Sequence, residues 1–186
     1  VPVDKASFRE AYVHGERTLA RVPLVKPEHN FHDVLRIKTD IQMKYLVEQG
    51  KLDGEEARRE DYAGKVADSC YRYVLDVLEH TRPVVKSLSE RYKLVLVSNF
   101  YGNIQTILKD FGLFDFFAGI IESSVVGVRK PDPAIYRLGV EAMGLPAGNV
   151  LVVGDSFSKD VVPAKAVGCK VCLLYTSPSP RDRTRS

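Results

Sequence analysis

The sequence predicts an α/β protein, a parallel β-sheet covered by helices and joined to a separate all-helical segment. Three observations predict it. Residues 1–80 carry three stretches of helical periodicity and no strand-like run. From Thr81 onward, short apolar runs alternate with amphipathic stretches, the pattern of a parallel sheet with helices on its faces. The clearest run, Val150-Leu-Val-Val153, is apolar at every position, as in strands buried on both faces, and it stops at Gly154-Asp155.

With 186 residues the chain can bury one real core and carry a smaller appendage. Its apolar (45%) and charged (27%) fractions are ordinary for a globular protein. A formal charge of +3 is too small to argue for a nucleic-acid or membrane partner. No apolar run approaches the ~20 residues a membrane span needs. No secretory leader is legible, so the cytoplasm is the expected compartment. Three cysteines, an odd number, do not suggest a disulfide framework.

The last stretch is compositionally foreign. Cys172-Leu-Leu-Tyr-Thr-Ser-Pro-Ser-Pro-Arg-Asp182 reads like the translation of a sequencing adapter, so residues 172–186 are expected to be an irregular tail outside the fold. Setting them aside removes Arg181, Arg183, Arg185 and Asp182, which leaves 24 basic against 23 acidic residues and a charge of +1. It also dissolves the apparent Cys169-x-x-Cys172 pair.

Taken in order, Phe8, Ala11, Tyr12, Gly15 and Leu19 share one face of a first helix that ends before Pro23. Asn30 can cap a second, with Phe31, Val34, Leu35, Ile41 and Tyr45 inward and Gly50 closing it. A third, over 55–80, repeats Ala63, Val66, Ala67, Cys70, Val74, Val77 and Leu78, which makes Cys70 an inert core thiol. Three such helices without a strand form a small bundle. Thr81 then reads as the cap of a short new helix with Pro83 in its first turn. Strands follow at 93–99, 119–122 and 150–153, helices at 103–111, 132–143 and 158–167. Lys170-Val171 opens a last strand.

Three strand ends carry polar groups suited to one task. Ser98-Asn99 offers a hydroxyl and free backbone amides, which bind phosphate oxygens without charge. Lys130 precedes Pro131, which disfavours helix there and leaves the side chain free to reach over the sheet edge. Asp155 and Asp160 stand at the carboxyl end of the Val150 strand, where open α/β sheets bind ligands. Together they could hold a hard cation such as Mg²⁺, or they could simply cap a helix. A hydroxyl, an ammonium and a metal-binding acid are the parts that phosphoryl transfer uses.

In order and spacing, Leu94-Val-Leu-Val-Ser-Asn99, Val128-Arg-Lys-Pro-Asp-Pro133 and Val153-Gly-Asp-Ser-Phe-Ser-Lys-Asp160 resemble motifs II, III and IV of the haloacid dehalogenase superfamily. Phe111-Gly-Leu-Phe-Asp115 and Pro163-Ala-Lys-Ala-Val-Gly168 are similar to its phosphatase branch. The resemblance spans residues 82–171. It implies a Rossmann-like core over 81–171 and a small α-helical cap over 1–80. It also implies roles: Ser98 and the Asn99 amide on the phosphoryl group, and Lys130 neutralising its charge. Asp155 would be a direct Mg²⁺ ligand, and Asp160 would hold either a metal-bound water or Lys130. The implied partner is a small phosphorylated metabolite, and cap residues such as Arg17, Lys26 or Arg36 would be candidates to touch it.

The resemblance also implies a nucleophilic Asp in Asp-x-Asp-Gly-Thr, on a first strand lying between the Leu94 and Val150 strands. No Asp of this chain takes that place. Asp4 reads as a helix cap, and Asp61 and Asp68 lie within the third helical stretch. The chain by itself is therefore expected to be inactive and poorly stable, with unpaired strand edges on both sides of the missing strand. The parent protein is expected to be a Mg²⁺-dependent phosphomonoester hydrolase. A 2-haloacid dehalogenase and a degenerate family member that only binds are the alternatives. His29-x-x-His32 is expected to be a solvated helix start rather than a metal pair.

Overall fold

The structure, a computed structural model, describes residues 1–174. It divides into two compact units, one of residues Val1–Glu90 with Tyr101–Phe116 and one of Arg91–Phe100 with the chain from Phe117 onward.

The first unit is helical. Helix α1 (Lys5–Arg21) starts where the Asp4 carboxylate accepts the amides of Ala6 and Ser7, both at 2.9 Å. Helix α2 (Phe31–Glu48) opens on a reciprocal cap: the Asp33 amide donates to Asn30 Oδ1 and the Asn30 amide donates to Asp33 Oδ2, each at 2.9 Å. Ala11, Met43, Leu46, Leu52 and Ala63 form the core that these helices share.

The third helical stretch departs from expectation at both ends. It is broken into α3 (Gly54–Arg59) and α4 (Tyr62–Ser89). The break is Asp61, in the left-handed region at φ 45°. Its carboxylate accepts both Arg36 guanidinium nitrogens, at 3.0 and 2.9 Å, and the Gly64 amide at 3.2 Å. A partner 25 residues away thus holds a conformation that local propensity disfavours. At the other end no new helix begins. Helix α4 runs through Pro83, and Thr81 donates its hydroxyl back to the Val77 carbonyl at 2.9 Å instead of capping. Cys70 is exposed, not in the core, because only Ala63, Gly64, Ala67 and Leu78 of that helix are buried. Helix α5 (Ile104–Asp110) belongs to this unit, burying Ile104, Ile107 and Leu108.

The second unit is α/β. Strand β1 (Val95–Ser98) pairs in parallel with β2 (Gly119–Glu122), placing Ser98 opposite Glu122. Strand β3 (Leu151–Gly154) pairs in parallel with β4 (Lys170–Leu173). A short α6 (Ser123–Val126), not foreseen, follows β2. Helix α7 (Pro133–Met143) starts on the Asp132 cap, and α8 (Val162–Val167) follows a π-helical turn at Phe157–Val161.

The sheet is two separate pairs among the described residues, with no ladder between β1 and β3, and the gap lies where the missing first strand is expected. Packing joins them instead. Ile135 and Tyr136 of α7 are 0% and 3% exposed, in one core with Val150, Ala164 and Cys169, against which Val97 and Ile121 of the first pair also pack. The other face of β3 is bare: Leu151 and Val153 are 58% and 53% exposed. Strand β4 also runs on through Cys172 and Leu173, opposite Val153 and Gly154. These apolar residues complete the parallel ladder, so the irregular tail expected from residue 172 does not begin there. Its remainder, 175–186, lies outside the described residues. Among the described residues, no helix is long and apolar enough to cross a membrane.

Candidate active site

The carboxyl ends of β1 and β3 and the loop before α7 are tied together by hydrogen bonds within the second unit. The first tie is Asn99. Its side-chain amide donates to the Lys130 carbonyl at 3.0 Å, and its Oδ1 accepts the Lys130 amide at 2.8 Å. This pair of hydrogen bonds clamps the loop to the strand that ends in Ser98. Sequence reasoning assigned Asn99 only its backbone amide, so the side-chain role is new. A second tie runs between Phe100 and Ser123, the Phe100 amide donating to Ser123 Oγ at 3.2 Å.

The third tie is an ion pair. Lys130 Nζ donates to Asp160 Oδ1 at 2.8 Å, with the lysine side chain 19% and the aspartate side chain 5% exposed. The Tyr136 hydroxyl lies 2.7 Å from the same oxygen, and the Ser156 amide donates to Oδ2 at 3.0 Å. The Tyr136 oxygen is also 3.2 Å from the Lys159 carbonyl, but a phenol has one proton and the shorter, charge-assisted bond to Asp160 takes it. Burial pushes the Asp160 carboxyl up, but the bonds from Lys130, Tyr136 and Ser156 outweigh it and hold it below the usual range. Burial, and then the bond to Asp160, push the Tyr136 phenol up.

Gly154 makes room for this carboxylate. A Cβ at that position would sit 2.5 Å from Asp160 Cβ and 2.6 Å from its Cγ. The Gly-Asp that ends the β3 run is thus a packing requirement as well as a turn.

Asp155 is exposed at the end of β3, and Ser98 is half-buried at the end of β1. The structure therefore brings Ser98, Asn99 and Lys130 together around one loop and joins Asp160 to Lys130. Of the two partners foreseen for Asp160, the lysine is the one seen. Among the described residues, no group of three His, Cys, Asp or Glu side chains could hold a metal ion. Mg²⁺ needs only one or two carboxylates, the rest being water and substrate oxygens, and an exposed Asp155 fits that smaller demand. Asp160 fits it poorly, with both oxygens already accepting hydrogen bonds.

Tyr136 and the Ser156 amide were missed by sequence reasoning. Tyr136 falls on the apolar face of α7 and reads there as core. The histidines take other partners. His29 Nδ1 accepts the Lys26 amide at 3.1 Å, whereas His32 Nε2 lies 2.7 Å from Asp68. Of the cap candidates, Arg36 is committed to Asp61.

The chain is 32% identical over 144 residues to 5-amino-6-(5-phospho-D-ribitylamino)uracil phosphatase YigB of Escherichia coli (strain K12), covering 77% of this chain and 58% of that one. It is 41% identical over 63 residues to a phosphoglycolate phosphatase of Neisseria gonorrhoeae, covering 34% of this chain and 26% of that one. The chain thus spans little more than half of the first relative and about a quarter of the second. Among solved structures, a HAD-superfamily hydrolase of subfamily IA from Geobacter sulfurreducens superposes with a TM-score of 0.51 at 22% identity, covering 94% of this chain and 84% of that one. That likeness is one of fold. The profile of the haloacid dehalogenase-like hydrolases matches residues 2–168, and the chain belongs to that family of hydrolases.

Proposed function

We propose that the protein carrying this chain hydrolyses small phosphomonoesters through an aspartyl-phosphate, with Mg²⁺ as cofactor. The observation that carries this reading is the Lys130 ammonium, held 2.8 Å from Asp160 and clamped through its own backbone to Asn99, the neighbour of Ser98.

In this reading the Ser98 hydroxyl donates to a phosphoryl oxygen and Lys130 offsets the charge that builds on the transferring group. Asp160 aims Lys130. Asp155 would hold Mg²⁺, which when bound supplies positive charge to the phosphoryl oxygens. Asp4, Asp61 and Asp68 are engaged at a helix start, by Arg36 and by His32, so in this reading the nucleophile is another aspartate carboxylate of the complete protein. One of its oxygens bonds to phosphorus as the ester P–O bond breaks, and the leaving alkoxide takes up a proton. Water then attacks the acyl-phosphate, releasing inorganic phosphate and restoring the carboxylate. The helices of 1–80 serve as a cap that selects among substrates.

The test is a screen of the complete protein against phosphomonoesters with Mg²⁺ and with chelator, alongside a 2-haloacid. Mg²⁺-dependent phosphate release, absent from residues 1–186 alone, is the expected result. Halide release without metal would replace this reading with a dehalogenase. No turnover of any substrate would leave a degenerate, binding member of the family.

A further inference from the structure

Lys130 and Tyr136 reach one oxygen of Asp160 from a single rigid piece of chain. Helix α7 starts at Pro133, its Asp132 cap accepts the Ala134 amide at 2.8 Å, and Tyr136 stands in its first turn. Lys130 lies just before it, fastened by both Asn99 bonds. The two donors sit 2.8 and 2.7 Å from Asp160 Oδ1, so neither can shift without the other's geometry changing. Tyr136 is 3% exposed, and its ring is part of the core that joins the two strand pairs.

We infer that Tyr136 is a positioning residue for the reaction proposed above, and the inference rests on that reading. Its hydroxyl holds the Asp160 carboxylate in the one orientation that keeps Lys130 directed at the strand ends. Without the hydroxyl, Oδ1 has only the lysine to bind. The carboxylate then keeps two donors, Lys130 on Oδ1 and the Ser156 amide on Oδ2, and with the third gone it can tilt about its Cβ–Cγ bond, taking the ammonium with it. A group that sets the aim of another acts on the transition state more than on ground-state binding, so the effect belongs in kcat. Tyr136 itself touches neither substrate nor reacting atoms.

The experiment compares Tyr136→Phe with Ile135→Val in the complete protein. Both remove a small group from neighbouring core positions, and Ile135 is fully buried with no part in the hydrogen-bonded network. Steady-state kinetics on p-nitrophenyl phosphate and thermal midpoints are measured for each. Positioning predicts a kcat about tenfold lower for Tyr136→Phe with KM within about twofold, and an unchanged kcat for Ile135→Val at a comparable loss of midpoint. A purely structural tyrosine would make the two variants alike, and that result overturns the inference.

A second readout is independent of turnover. Proton exchange at the ¹⁵N-labelled Lys130 ammonium, followed by nuclear magnetic resonance in the complete protein, should be several-fold faster in Tyr136→Phe than in the parent. If the parent hydrolyses nothing yet exchange quickens as expected, the phosphatase reading fails while the positioning contact stands. Unchanged exchange would overturn the positioning itself.

Discussion

Gly154 and Asp160 occupy one another's space. The carboxylate of Asp160 lies over the α-carbon of Gly154, so that an added methyl would meet Asp160 Cβ at 2.5 Å, Cγ at 2.6 Å and Oδ2 at 2.7 Å. Strand β3 can end at this point only because the residue there has no side chain, and Lys130 has its counter-ion only because Asp160 fits the space.

Gly154→Ala should therefore be costly. Asp160 is 4% exposed and bonded on both oxygens, so it cannot swing away without abandoning three donors. Overpacking of this kind costs about 1–3 kcal/mol, and lost bonds place this case at the upper end. The check is the urea midpoint of the variant against the parent. A midpoint within error of the parent would show that the carboxylate relocates freely.

Gly64→Ala offers the contrast. An added methyl there would collide with the Arg36 guanidinium and the Asp61 carboxylate, yet both are far ends of exposed, flexible side chains. The exposed pair contributes about 0–1 kcal/mol and the Asp61 cap on the Gly64 amide about 1 kcal/mol, against which alanine is favoured over glycine within a helix by about 1 kcal/mol. The variant should remain within about 1 kcal/mol of the parent in the same measurement. A loss as large as that of Gly154→Ala would mean that the Arg36–Asp61 pair holds α3 and α4 together.

Acid should weaken the second unit through Asp160. Its folded pKa is held below the ordinary value by Lys130, Tyr136 and Ser156 against the opposing effect of burial. Between that lowered value and the ordinary one of about 3.9, the unfolded chain binds the proton and the folded chain does not. The stabilisation is thus fully present above about pH 4 and is lost as pH falls through the folded pKa. Asp160→Asn should remove this acid-side dependence. It should also cost about 2–3 kcal/mol at neutral pH, less than the ~3–5 of a fully buried pair because Lys130 keeps some contact with water. Urea unfolding at a series of pH values checks both. Parallel curves for parent and variant would count against the ion pair.

Much of the architecture was legible because it depends on periodicity and local chemistry. The caps at Asp4 and Asn30, the strand at 119–122 and the helix after Pro131 all rest on residues close in sequence. What failed involved distant partners. Asp61 breaks a helix because Arg36 lies across from it, and Cys70 is exposed although its stripe is apolar. Helix α4 runs through Pro83, where the proline had suggested a new start.

The candidate site divides along the same line. Ser98, Asn99, Lys130, Asp155 and Asp160 were singled out by residue type at strand ends, and spacing alone placed them in chemistry-bearing turns. Sequence could not decide which carboxylate oxygen meets which donor. Tyr136 is six residues from Lys130 along the chain, and an aromatic on an amphipathic helix looks the same whether its hydroxyl is idle or bonded. Motifs and hydrophobic periods are local properties, so the family, the order of the four strands and the set of polar residues could be read from the chain alone. Three-dimensional packing settles that Asp160 answers Lys130 and Tyr136, that Asn99 clamps the loop through its side chain, and that Asp155 stays exposed. Each is a distance between groups separated along the chain, set by how α7 packs against two strand pairs.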